Sequence, residues 1–189
     1  QLGLMEAITQ TLAGRVGAVN LLPFSGAELR DAGQAPEDLD EALFRGGYPP
    51  LYDEPPADPV RWLGAYLHPY VERDVRWALN VRDLSLFQRF LGLCAGSAGQ
   101  LLNTVRIGND CGITHNTARA WLSVLEAGFV VRLLQPHHEN FRKRLVKTPK
   151  LYFHDTGLLV RLLGVDTPHQ LRTHPLRGAI FENFVFTEL

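Results

Sequence analysis

Apolar residues recur every four positions at Leu63, Leu67, Val71, Val75 and Leu79, flanked by Trp62, Tyr66, Tyr70 and Trp77. That period lays one broad buried face along a helix starting near Val60, which Pro69 should kink by removing an amide donor. Leu84, Phe87, Leu91 and Cys94 form a second stripe, with Asp83 placed to cap it and the glycine-rich AGSAG of residues 95–99 to end it. From there the pattern tightens. Residues 101–153 predict a helix-turn-helix followed by a two-stranded wing: Asn103 caps a short helix, Gly112 allows the turn, and Thr114 caps a second helix carrying Thr117 and Ala118 in its first turn. Crossing these helices requires apolar side chains at Ile107, Cys111, Ile113, Ala118 and Trp121 and little bulk at Gly108. Ile113 and Ala118 are spaced as a hydrophobic staple. Gly128 stops the second helix, residues 129–134 read as a strand, and residues 151–153 as its partner.

On the amino-terminal side, residues 4–12 look helical and residues 16–22 look like a short buried strand closed by Pro23. Ser25 and Glu28 form a capping box, with Phe24 against Leu29 as its staple. Residues 36–45 read as a helix, with Pro36 at its first position, acids Glu37, Asp38, Asp40 and Glu41 near its start, Arg45 near its end and Gly46 terminating it. GGYPP (46–50) is a stiff turn and DEPPADP (53–59) a connector. Asp155 caps a helix through Leu163 that Gly164 ends, and a polar link leads to a helix over 178–189 built on Ile180, Phe181, Phe184 and Val185.

Composition changes this picture little: 46% hydrophobic and 21% charged residues suit an ordinary globular protein of one or two domains. No apolar run nears the ~20 residues of a membrane span and no secretory signal opens the chain, so a cytoplasmic location without membrane contact is expected. Cys94 and Cys111 fit buried helical positions without metal spacing, and no disulfide is expected. Charge is more informative. The net −1 conceals −7 over residues 28–58, where nine acids face Arg30 and Arg45, and +4 over residues 137–150, where Arg142, Lys143, Arg144, Lys147 and Lys150 face Glu139.

The basic wing carries Phe141 among its cations and adjoins a helix whose solvent face would be His115, Asn116 and Arg119. That layout suits phosphate contacts from the wing and base-edge contacts from the helix of double-stranded DNA. A solvated wing, or one docked on the acidic region or on a partner subunit, is the competing reading. Ser97 within AGSAG superficially resembles a nucleophile elbow, but an elbow needs a strand before the serine, and here a helix comes first. His137, His138 and His154 match no zinc spacing, so no metal is expected. No P-loop or G-x-G-x-x-G occurs, so no cofactor is expected within these residues.

Six segments, in order, carry a family resemblance: LAGRVGAVNLLPFSGAEL (12–29), FRGGYPP (44–50), YLHPYVERDV (66–75), LLNTVRIGNDCGITHNTARAWLSVLEAGFVVRLLQP (101–136), KRLVKTPKLYFHDTGLL (143–159) and GAIFENFVFTEL (178–189). Together they resemble the later part of prokaryotic AAA-type ATPases that carry a carboxy-terminal domain of unknown function. The resemblance implies a mainly α fold: the end of the ATPase core over 1–30, with a remnant of an α/β P-loop module, a helical connector over 31–82, a winged helix over 83–165, and the start of a restriction-endonuclease-like domain over 166–189. It implies that ATP and Mg²⁺ belong to a module preceding Gln1, which would be a partner of this chain; a homo-oligomer is a further candidate partner, and the oligomeric state is left open. Arg15 would then be an arginine finger stabilising charge on a neighbouring nucleotide; a surface arginine at a helix end is the plainer reading. Glu182 and Glu188 fall on the first helix of the nuclease-like domain and receive no cleavage role. The rival is a stand-alone winged-helix transcription regulator whose first 80 or so residues dimerise.

Overall fold

The computed structural model describes residues 19–69, 83–136 and 148–189. Helices dominate them. In chain order they are α1 (Gly26–Asp31), α2 (Leu39–Arg45), α3 (Pro59–Pro69), α4 (Leu84–Ala95), α5 (Thr104–Cys111), α6 (His115–Ala127), α7 (Thr156–Leu162), α8 (Pro168–Leu171) and α9 (Arg177–Thr187). Between α6 and α7 lies a two-stranded antiparallel sheet of β1 (Val131–Leu134) and β2 (Lys150–Phe153).

Capping chemistry sets most boundaries. Ser25 and Glu28 make the reciprocal capping box of α1. Asp83, Asn103, Thr114 and Asp155 accept backbone amides at the starts of α4, α5, α6 and α7. The expected helix over 36–45 begins later, at Leu39, because the Asp38 carboxylate accepts from the amides of Asp40 and Glu41 and so fixes the cap two residues beyond Pro36. The link expected after Gly164 contains α8, whose Gln170 carboxamide accepts from the Asp166 and Thr167 amides at 2.8 and 3.3 Å.

The apolar run at 19–22 is a further correction. Its residues are irregular rather than a strand, and Val19 and Leu21 are 81% and 92% exposed. No strand among the described residues pairs with them, and an unpaired strand leaves its backbone groups unmet. The helix over 4–12, Arg15 and the continuation of α3 past Pro69 lie outside the described residues.

The predicted crossing of α5 and α6 is present. Ile107, Cys111, Ala118 and Trp121 are buried and Ile113 half-buried. A side chain at Gly108 would meet the Ile113 carbonyl at 3.0 Å. Trp121 packs on Phe87 and Phe90 of α4 with centroids 5.1 and 5.3 Å away. After α6 the strand begins at Val131, two residues later than expected. The Val130 amide donates to the Leu125 carbonyl and Phe129 to Glu126, which closes the helix around Phe129 at φ 54°.

One hydrophobic cluster runs from Leu43 to Ile180, joining both halves of the chain. Two polar devices brace it. At the first, Asp155 is buried between α7 and the 46–47 turn: one oxygen accepts from the Leu158 amide and the other from the Gly47 amide, each at 2.7 Å. Gly157 lies so close to the Arg45 carbonyl that a side chain there would overlap it. At the second, the buried Asn183 of α9 clamps the Phe153 backbone, accepting its N–H at 2.7 Å and donating to its carbonyl at 3.0 Å. Neighbouring rungs of β2 are met by residues 99–101: Gly99 donates to the Leu151 carbonyl at 2.8 Å, and Leu151 to the Gln100 carbonyl at 3.2 Å.

Asn183→Leu keeps the volume and deletes both bonds, leaving a buried N–H and C=O unmet. The expected cost is about 2–4 kcal/mol, read as a lower urea midpoint at an unchanged slope; an unchanged midpoint would show that the clamp is dispensable.

Candidate nucleic-acid interface

The face of α6 opposite its buried Ala118, Trp121, Leu122 and Leu125 presents His115, Asn116 and Arg119, all exposed. Its start is ordered: Thr114 accepts the Thr117 amide at 3.1 Å, and the two threonine hydroxyls share a 2.8 Å bond. His115 and Arg119, one turn apart, line a groove of about 340 Å³ with Thr104, Ser123, Leu133 and Thr148. No ion pair occupies Arg119 among the described residues, and its guanidinium therefore keeps its donors for an incoming acceptor.

Lys150 is placed differently. Its ammonium donates to Glu182 of α9 at 2.8 Å, and the Tyr152 hydroxyl donates to the same carboxylate at 2.6 Å. These bonds hold Glu182 below the usual carboxylate range and raise the Lys150 ammonium. The structure thus brings together His115, Asn116 and Arg119, and sets Lys150 against α9. Arg142, Lys143, Arg144 and Lys147 lie outside the described residues, as do Arg15, His137 and His138. Part of the acidic region is already met from within: Asp40, nearly buried, accepts from Arg177 at 2.8 Å and Arg172 at 3.2 Å, and Arg172 also reaches Asp38.

The remaining chemistry resolves into structure. Ser97 donates to the Leu93 carbonyl at 2.9 Å, which occupies it at a helix end. Cys94 and Cys111 are buried free thiols, both pushed up by burial. Among the described residues no cluster of His, Cys, Asp or Glu could hold a metal, and no helix is long and apolar enough to cross a membrane. The residue reading placed Asp155 as a helix cap but missed its bond to the Gly47 amide, and it missed the roles of Asn183 and Glu188. Glu188 accepts the Gly26 amide with both oxygens, at 2.8 and 2.9 Å.

The fold and this surface define a mostly helical module with a small antiparallel sheet, held together by clamps from its last helix. The chain belongs to the domain family of unknown function DUF8612, which matches residues 36–169. It is also similar, at 36% identity over 188 residues, to uncharacterised proteins of Mycobacterium bovis and Mycobacterium tuberculosis; the match covers 98% of this chain but only 41% of each relative. No solved structure matches it.

Proposed function

We propose that residues 83–165 form a winged helix that contacts double-stranded DNA through α6, and that the module serves a larger AAA-type ATPase supplying ATP and Mg²⁺. The observation that carries the DNA reading is Arg119, which has no ion pair among the described residues, beside His115 and Asn116 on the exposed face of the second helix of a capped pair. The order of elements supports it: the Leu101–Lys150 bridge sets a strand-like rung between α4 and α5, ahead of the helix pair and ribbon. The ATPase reading rests on the six ordered segments, and the relatives, of which this chain spans 41%, leave room for a nucleotide module.

Binding of a short labelled duplex, followed by fluorescence anisotropy, tests the DNA reading. If about four phosphates are neutralised, affinity should fall roughly 150-fold between about 50 and 200 mM salt. Arg119→Ala should weaken it roughly tenfold, the equivalent of about 1.4 kcal/mol. Arg142→Ala, Lys143→Ala and Arg144→Ala combined should flatten the salt dependence. No binding at low salt, or unchanged affinity in the Arg119 variant, removes α6 as the contact. The ATPase reading is tested separately, by ATP hydrolysis with the full-length M. tuberculosis relative; an inert protein counts against it.

A further inference from the structure

A second cavity, of about 360 Å³, lies on the other side of the ribbon, between α1, α2 and α9. Adjacent residues of β1 point to opposite faces, so Leu133 lines the groove of α6 while Arg132 lines this cleft. Its size falls within the few hundred Å³ usual for small-molecule sites. The walls are apolar and aromatic: Leu29, Leu39, Ala42, Tyr52, Phe184 and Phe186.

The polar groups of the cleft are unevenly committed. Of its acids, Asp155 is taken by the Gly47 and Leu158 amides and Glu188 by the Gly26 amide. Arg132 sits 5.7 Å from the centroid of the Phe186 ring, which in turn stacks on Tyr152 at 4.2 Å, and no carboxylate pairs with it among the described residues. A guanidinium supported on a ring face keeps the edge of its donor fork open, and that edge matches a carboxylate in two parallel bonds. His154, half-buried beside it, adds ring nitrogens to the same wall. The lining also holds Arg30, which has no ion pair among the described residues, and the carboxylate of Glu37; Asp155 and Glu188 accept only from neutral amides, so an anion is favoured by the open fork of Arg132 and not by the net charge of the cleft.

We propose that this cleft binds a small amphipathic monoanion, an apolar and preferably aromatic body bearing one carboxylate or similar acid group, with Arg132 receiving the anion and the phenylalanine walls the body. The site is separate from the surface of α6 and stands whether or not that surface binds DNA.

Two fluorescent probes with the same aromatic frame test it: 8-anilinonaphthalene-1-sulfonate, which carries the anion, and N-phenyl-1-naphthylamine, which lacks it. The anionic probe should bind saturably at one site, and Arg132→Gln should weaken it about tenfold while leaving the neutral probe unchanged. Retained binding of the neutral probe shows the cleft intact in that variant, so a folding defect cannot imitate the result. Leu39→Trp, at a 40% exposed position on the rim, should exclude both probes without lowering the melting temperature. Equal binding of the anionic probe to Arg132→Gln, binding that does not saturate, or no binding of either probe overturns the proposal.

Discussion

Gly157→Ala should lower stability by about 3 kcal/mol. The added carbon would overlap the Arg45 carbonyl, stand 2.8 Å from its carbon and lie 3.0 Å from the Gly46 nitrogen. All three neighbours are backbone, so no rotamer change relieves the clash. The start of α7 would have to lift off the end of α2, opening the core around Leu43, Leu158 and Leu159, each fully buried. For a chain of this length the melting temperature should drop by roughly 6–12 °C. Gly178→Ala is the matched control. Gly178 lies within α9 with nothing within 4 Å of the added carbon, so the same substitution should be neutral or stabilise by up to about 1 kcal/mol. Equal melting temperatures for the two variants would refute the close approach of α2 and α7.

Asp155→Asn should cost about 1–3 kcal/mol near neutral pH, with a penalty that depends on pH in a defined direction. Both carboxylate oxygens accept backbone amides, and asparagine offers one acceptor, turning its NH₂ toward the other N–H. Burial pushes the Asp155 carboxyl up to about 6, an effect that outweighs the amides of Gly47 and Leu158, which pull it down. The folded protein therefore holds this proton more tightly than the unfolded chain, where the value is 3.8. The resulting stability is fully present below about pH 4, is lost as pH rises to about 6, and amounts to about 3 kcal/mol. Urea denaturation of both proteins at pH 4 and pH 7 reads it directly. The gap between wild type and Asp155→Asn should narrow toward pH 7; a gap that widens would mean that Asp155 is an ordinary ionised cap.

These two positions also mark how far the sequence could be read. Ser25, Asp83, Asn103, Thr114 and Asp155 announced helix starts because a cap acts on amides two or three residues away. The α5–α6 crossing was legible for the same reason: Gly108, Gly112 and the apolar spacing all lie within one short stretch. The start of α2 was misplaced because two local signals competed, and the charge-accepting cap at Asp38 prevailed over the fixed backbone of Pro36. What the pattern did not reveal spans the chain. Asp155 meets Gly47 across 108 positions, Asp40 meets Arg177 across 137 and Glu188 meets Gly26 across 162. A signal existed in the ordered segments themselves, since FRGGYPP and HDTGLL contribute Gly46, Gly47, Asp155 and Gly157 to one junction. Nothing in periodicity or charge says that they touch. The exposed candidates His115, Asn116 and Arg119 were legible for the opposite reason: a helix whose buried face is known has its other face by subtraction.

The outward side of β2 has a consequence for the molecule's behaviour in a crowded solution. An antiparallel pair ordinarily leaves every second residue with an amide and a carbonyl directed away from its partner, ready to pair with a strand of another molecule. In β2 those residues are Leu151 and Phe153: the first is met by Gly99 and Gln100, and the second by the carboxamide of Asn183. Asn183 thus takes the place of a missing third strand. Loss of α9, by truncation or by unfolding ahead of the rest, would expose Phe153 as a sticky rung and turn a stable ribbon into a site of self-association.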